Sequence, residues 1–595
     1  MPPMRSRAGG KIAAISSRFA APTRLLAPRS RAPLLAVLLA GVLLGPPAAG
    51  RAADPPVAFT HGVACGDPSS TEVVLWTRTA AAATLEPQLL DTTGAVARTL
   101  APVHTGPDTD FTVKAVATDL APGAPVTYRF AGPAGELSPV GTCHTAPAPD
   151  AHVPITLGFS GDADWKWRPY PLLNALNRES LDFFVFLGDT IYETTNATGT
   201  ESVEDLSGYR MKYRENRELP PPLPPDGAVP LRTMYSRFGL YEVPDNHELG
   251  VSAADPNAPR YTEGGAPAGS APFVNETQGF KERAQAFSEY QPLRDRVVSG
   301  TGDPRLDGTR GYYFSQPWGT LARVMVVDDR SYRDVRLKMS DDPAADDPNR
   351  TMLGRPQLSW LENELLTAQG EAVTWKFVVI SSPIQQVGRT SEIGVDADGT
   401  KSWAGGYRVE RDRLLKFIDD NGIDNVVFLT TDNHYTMVNN LRYRSTPEDP
   451  SSPLAPARNA FEIITGPIGA STGLPVKVGA AGADGRTAER AVADALAAAQ
   501  KAAGLDPVGL EPEFPGLLVD SVSSDGGQPG LVAPADFAAF NSYTYAVLQA
   551  NDTALTVRVT GIPAVDPAAL HDAAGMAAYQ AETPRTILSF TVQAQ

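Results

Sequence analysis

The chain has 595 residues with 68 acidic and 51 basic side chains, a formal charge of -17, 42% hydrophobic residues and 20% charged residues. This is ordinary globular composition and excludes a mainly disordered or fibrous protein, while an acidic surface repels phosphate and argues against a nucleic-acid partner. Two cysteines exclude a disulfide-rich scaffold and a four-thiolate zinc site, and 52 glycines with 54 prolines predict many loops and long insertions.

The N-terminus reads as a targeting segment. Arg5, Arg7, Lys11, Arg18, Arg24, Arg29 and Arg31 come with no acid before Asp54. An apolar run follows at 32–44, and then Pro46, Pro47 and the small residues around Gly50. Basic, apolar and cleavage regions in that order predict a secretory signal over 1–53, with an uncleaved N-terminal anchor as the alternative. The apolar run is shorter than the ~20 residues of a comfortable membrane span. No adjacent arginine pair precedes it, so a twin-arginine signal is not supported, and no later stretch is long and apolar enough to span. The expectation is an exported protein, periplasmic or extracellular, with no stable membrane span after processing.

Residues 54–149 carry short Thr- and Val-rich runs, with strands predicted at 73–78, 111–116 and 126–130 and turn signals between them. Short strands at regular spacing predict a small all-β sandwich. Cys65 lies in its first strand region and Cys143 in its last. In an oxidising compartment they are expected to bridge; the alternative is two separate buried thiols.

From 150 to 595 the pattern changes. Apolar strands are predicted at 153–159, 181–187, 324–327, 377–380 and 426–429, and helices at 172–176, 358–366, 410–418 and, rich in alanine, 487–503. Near-continuous apolar strands indicate a sheet covered on both faces, hence an α/β or α+β domain. Pro- and Gly-rich inserts fall at 218–230, 251–278 and 522–535, and no internal repeat is present.

Polar residues cluster just after predicted strands. Ser160-Gly161-Asp162-Ala163-Asp164 follows the first, Gly188-Asp189-Thr190-Ile191-Tyr192-Glu193 the second, Asp245-Asn246-His247-Glu248 the segment Leu240-Tyr241-Glu242-Val243, and Thr430-Thr431-Asp432-Asn433-His434 the strand at 426–429. Ligands of open α/β sheets bind beyond the carboxyl ends of strands. Carboxylates, a phenol, an amide oxygen and imidazoles suit a trivalent ion such as iron beside a divalent one. Two cations sharing a carboxylate at ~3.5–4 Å can clamp both the attacking and the leaving oxygen of a phosphate ester.

Further motifs are His61-Gly62-Val63-Ala64-Cys65-Gly66-Asp67-Pro68 with Val74-Leu75-Trp76-Thr77-Arg78, then Val327-Asp328-Asp329-Arg330-Ser331-Tyr332-Arg333, and then Met352-Leu353-Gly354-Arg355-Pro356-Gln357-Leu358-Ser359-Trp360-Leu361. With Leu187 to Glu193, these resemble the calcineurin-like metallophosphoesterases, specifically the alkaline phosphatase D (PhoD-like) family, over nearly all of the chain after the targeting segment. The resemblance implies an α/β (α+β) metallophosphoesterase sandwich over 150–595, preceded by a small all-β, fibronectin-like domain over 54–149. It implies Asp189 as the bridging carboxylate, Tyr192 as a phenolate on Fe3+, and His434 completing that first site. Asn246 and Asp432 would bind Ca2+ or another divalent cation. His247 would face the phosphate as electrostatic stabiliser or leaving-group acid, or else act as a hydrogen-bonding partner behind the ligands.

Two departures from the family pattern bear on the metals. Where the family usually has Ser-Cys-Gln, this chain has Ser160-Gly161-Asp162, so Asp162 is expected in the first site, as in purple acid phosphatases, with Asp164 in reserve or as a plain turn residue. Where the family usually has Asp-Asp-His-Glu, it has Asp245-Asn246-His247-Glu248. The resemblance implies a secreted phosphatase hydrolysing phosphate monoesters through a hydroxide activated by two metals, or alternatively a phosphodiesterase or phospholipase D-like hydrolase on the same site. A non-catalytic carbohydrate- or surface-binding protein would carry decayed metal motifs, and these are largely intact. The inserts at 194–231 and 251–282 would set the room around the metals. Trp165, Trp167 and Trp403 would line the pocket or pack in the core.

Overall fold

The computed structural model describes residues 56–194, 203–250, 273–337, 342–386, 402–472, 485–510, 518–524 and 534–595. Residues 1–53, where a targeting segment is expected, and parts of the inserts at 194–231, 251–278 and 522–535 lie outside them. Among the described residues, no helix is long and apolar enough to cross a membrane.

Two large mixed sheets form the frame. In the ten-stranded sheet, Ile155–Ser160, Phe183–Leu187 and Gly239–Val243 run parallel side by side, and Phe59–Gly66 continues the parallel run. Ser542–Ala550 pairs antiparallel on the other flank. In the seven-stranded sheet, Ala322–Val326, Trp375–Val379, Val426–Thr430 and Leu454–Ile464 are parallel neighbours. Alternation along these strands explains why they read as unbroken apolar runs. Val324, Val326, Phe377, Val379, Val427 and Leu429 join Phe159, Val185 and Leu187 in one buried cluster between the sheets. Met325, Val327, Val378, Ile380, Val426 and Phe428 point the other way, onto Leu361 and Leu365 of helix Arg355–Gly370 and Leu414, Leu415 and Ile418 of helix Arg408–Asp420. Each such side chain fully buried contributes roughly 1.5–3 kcal/mol.

The helix expected at 358–366 begins earlier, at Arg355, because Gly354 in a left-handed conformation (φ 75°) turns the chain and Pro356 fits the first helical turn. Trp167 and Trp403 are buried in the two hydrophobic cores, whereas Trp165 is half-buried with Arg168 and Lys212 over its ring.

The N-terminal all-β region is present, but its two faces come from different sheets. Phe59–Gly66, Val73–Thr79 and Thr112–Ala117 are the edge of the ten-stranded sheet, while Ala83–Leu90, Pro125–Ala131 and Gly141–His144 belong to a separate five-stranded sheet. Val63, Val73 and Leu75 from the first meet Leu85, Tyr128 and Phe130 from the second in a core of their own. The disulfide Cys65–Cys143 ties the two faces together.

Candidate metal centre

Both parallel runs deliver their strand ends to one place. Asp162 follows Ile155–Ser160, Asp189 follows Phe183–Leu187, Asp245 and Asn246 follow Gly239–Val243, and Asp432 and His434 follow Val426–Thr430. Asp162, Asp189, Asp432 and His434 all adopt left-handed backbone, with φ of 63°, 49°, 63° and 58°. Four non-glycine residues in that costly region at one site are held there by the surrounding packing, a recurrent feature of functional loops. Gly188 (φ 68°) allows the close approach, since a Cβ there would lie 2.3 Å from the Asp245 Cβ.

The side chains converge in two groups. Asp162, Asp189 and His434 place ligand atoms within 4.8 Å of one another, and so do Asp189, Asp245 and Asp432. Asp189 belongs to both. The Tyr192 hydroxyl lies 2.9 Å from His434 Nε2 and 3.3 Å from Asp162 Oδ1, beside the first group. His434 Nδ1 is 2.5 Å from the Ser471 carbonyl oxygen. A carbonyl only accepts, so Nδ1 carries the proton and Nε2 faces the carboxylates. The Asn246 side-chain oxygen faces Asp432 Oδ1 at 2.9 Å. Turning the amide over makes this a hydrogen bond; left as it is, two acceptors stand at the separation of ligands on one cation.

Burial and the crowding of acids set the electrostatics. Burial raises the Asp189 carboxyl well above its usual range, and Glu248, Asp162 and Asp432 add to this. Burial also raises Asp245, with the Arg330 guanidinium opposing it. Tyr192 is raised first by burial and then by Asp189 and Asp162. For His434 burial works downward, yet Asp162 and Asp432 leave it raised. Asp162 Oδ2, Asp189 Oδ2 and Asp245 Oδ2 are buried with no hydrogen-bond partner among the described residues. Buried carboxylate oxygens of this kind are costly unless a metal or an ion pair takes them. The donor set, oxygen-rich with one imidazole, fits hard cations.

All seven sequence-derived candidates (Asp162, Asp189, Tyr192, Asn246, His247, Asp432 and His434) therefore lie together. Asp164, buried, caps the short helix Trp165–Trp167, its carboxylate accepting from the Lys166 N–H, and its charge is also felt at Tyr192. Sequence reasoning missed four neighbours. Asp245 joins the second group. Glu248 accepts from the N–H groups of Asp189 and Asp245 and the hydroxyl of Thr190, locking two ligand loops together. Glu193 meets His247 Nδ1 at 2.6 Å. Arg330 reaches in from the other sheet. Each stood in a quoted motif, but only the fold assigned its partner.

The fold is a metallophosphoesterase-type sandwich, and the carboxylate-rich cluster lies at its strand ends. Sequence comparison agrees: the PhoD-like phosphatase model matches residues 157–506, and the model of that family's N-terminal domain matches 46–147. The chain belongs to the PhoD-like phosphatase family. Alkaline phosphatase D of Bacillus subtilis (strain 168) is 30% identical over 431 residues, 64% of this chain and 65% of that protein, so the match spans just under two thirds of the relative's length. The solved structure of PhoD superposes over 90% of both chains with a TM-score of 0.63 at 23% identity. A purple acid phosphatase from yellow lupin covers 90% of this chain and 75% of its own at a TM-score of 0.46 and 9% identity.

Proposed function

We propose that this chain is an exported, metal-dependent phosphatase that hydrolyses phosphate monoesters, with its β-region over 54–149 and its catalytic region over 150–595. The observation that carries the reading is the membership of Asp189 in two ligand groups, the arrangement a pair of cations requires. Asp162, Asp189, Tyr192 and His434 would hold Fe3+, and Asp189, Asn246 and Asp432, with Asp245, would hold Ca2+ or another divalent ion. When bound, the two ions would supply positive charge to the phosphoryl oxygens and acidify the attacking water.

The chain's own contribution centres on His247. Its backbone N–H donates to Asp189 Oδ1 at 2.8 Å, and its ring lies against Tyr192 with centroids 4.0 Å apart. Glu193, fully buried, engages Nδ1 and so fixes the ring's orientation, leaving Nε2 on the side of Asp189, 3.9 Å from its Oδ2. From there Nε2 stabilises phosphate charge or hands a proton to the leaving oxygen.

The test is a side-by-side assay of monoester and diester substrates on protein whose metals are determined by elemental analysis and visible absorption. The expected result is faster monoester hydrolysis, one iron with one divalent ion, and a phenolate-to-iron absorption band. Faster diester hydrolysis would move the substrate class to phosphodiesters, and inactivity toward both with metals loaded would overturn the proposal.

A further inference from the structure

The segment Asp328-Asp329-Arg330-Ser331-Tyr332-Arg333 stood out in the sequence without a role. It follows strand Ala322–Val326 in the sheet opposite Asp162, Asp189 and Asp245. Asp328 Oδ1 accepts from the N–H groups of Arg330 and Ser331, and Gln357 pins the same turn by accepting from Asp328 N–H and donating to its carbonyl. This rigid turn sends Arg330 across the sandwich. The guanidinium is fully buried, with Nε 2.5 Å from Asp245 Oδ1 and Nη2 2.7 Å from Asp432 Oδ2. Asp329 Oδ1 lies 3.7 Å from Nε, and that carboxylate is held by Ser381 Oγ and Ser382 N–H.

Two of the three carboxylates of the Asp189, Asp245 and Asp432 group are thus forked by one fixed positive charge. A planar guanidinium with parallel donors is suited to spacing two carboxylates, which an ammonium point charge is not. We propose that Arg330 is a built-in counter-cation of this group: it spaces Asp245 and Asp432 before any ion is bound, and its charge sets the valence of the ion the group takes. Asp329 is balanced by the buried Arg333, whose Nη2 lies 3.5 Å from its Oδ2, so the three carboxylates of the group and the Arg330 guanidinium leave two negative charges, which matches a divalent ion. Without the guanidinium three remain, and a trivalent ion is favoured. The inference rests on the reading of Asp189, Asp245 and Asp432 as a cation site. It makes Arg330 a positioning and selectivity residue.

The experiment uses the full chain stripped of metal, titrated with Ca2+ and with a trivalent lanthanide, and read by the shift in Tm and by calorimetry. Arg330→Gln should lower the Tm of the stripped protein and bind Ca2+ at least tenfold more tightly than wild type. Because the lost repulsion scales with ion charge, a tenfold gain for Ca2+ implies a gain of about thirtyfold for the lanthanide. Arg330→Lys keeps the charge but loses the fork, so its Ca2+ affinity should stay within threefold of wild type while its stripped Tm falls. It also serves where Arg330→Gln does not fold. Unchanged or weaker Ca2+ binding by Arg330→Gln, or a tenfold change by Arg330→Lys, would overturn the proposal. Failure of the underlying site reading is distinct: wild type and Asp189→Asn would then show the same Ca2+ response.

Discussion

Reducing the Cys65–Cys143 disulfide isolates the contribution of one covalent link, because both sulfurs stay in place in the core between the two β faces. The link closes a loop of sequence separation 78, for which loop-closure entropy alone gives about 4.5 kcal/mol at 25 °C. Native-state relaxation and residual unfolded structure reduce such figures, so a loss of about 2–4.5 kcal/mol is expected. Since strand Phe59–Gly66 is part of the ten-stranded sheet, the loss should appear in unfolding of that sheet and not in a detached β module. Activity in native buffer should survive. Cys65 pairs with Gly239, at the start of Gly239–Val243, and the ligand loop leaves from the far end, about 13 Å away at strand rise. The assay is urea unfolding followed by tryptophan fluorescence, with and without reductant, on exported protein whose linked peptide is verified by non-reducing mass analysis. A loss below about 1 kcal/mol with the bridge fully reduced would refute the loop-closure argument. Two free thiols in properly exported material would refute the bridge itself.

Asp189→Asn removes the anion common to both ligand groups, so turnover should be nearly abolished and total metal content should fall; near wild-type activity with both metals retained would sink the two-cation reading. His247→Ala should lower kcat by about 10²–10⁴ with metal content intact, the range for a positioned proton donor. Glu193→Gln should reproduce part of that loss, and loss of metal in either variant would reassign His247 to the ligand set. Glu242, buried in strand Gly239–Val243, has its carboxyl pushed by burial up to about 8 from an ordinary 4.5. The folded chain therefore holds a proton that the unfolded chain releases, and stability should fall as pH rises between those two values. Glu242→Gln should flatten the slope of unfolding free energy against pH in that window, and an unchanged slope would show that other groups set it.

The strand-end polar residues and the apolar strands behind them were legible in the sequence because each is local. Gly188-Asp189-Thr190-Ile191-Tyr192-Glu193 carries its turn, its carboxylate and its phenol within six consecutive residues, and the runs at 377–380 and 426–429 betray burial on both faces by composition alone. Which carboxylates face one another depends on strand order and sheet stacking, and local sequence is silent on both. Only the packing of one sheet on the other brings Asp432 and Arg330 to Asp189 and Asp245. Only the parallel pairing of Phe59–Gly66 with Gly239–Val243 merges the N-terminal β-region with the large sheet. Asp245 and Glu193 stood in view beside the residues chosen as ligands. Their roles follow from hydrogen bonds to Arg330 and His247, contacts spanning 85 and 54 residues of chain that tertiary structure alone creates.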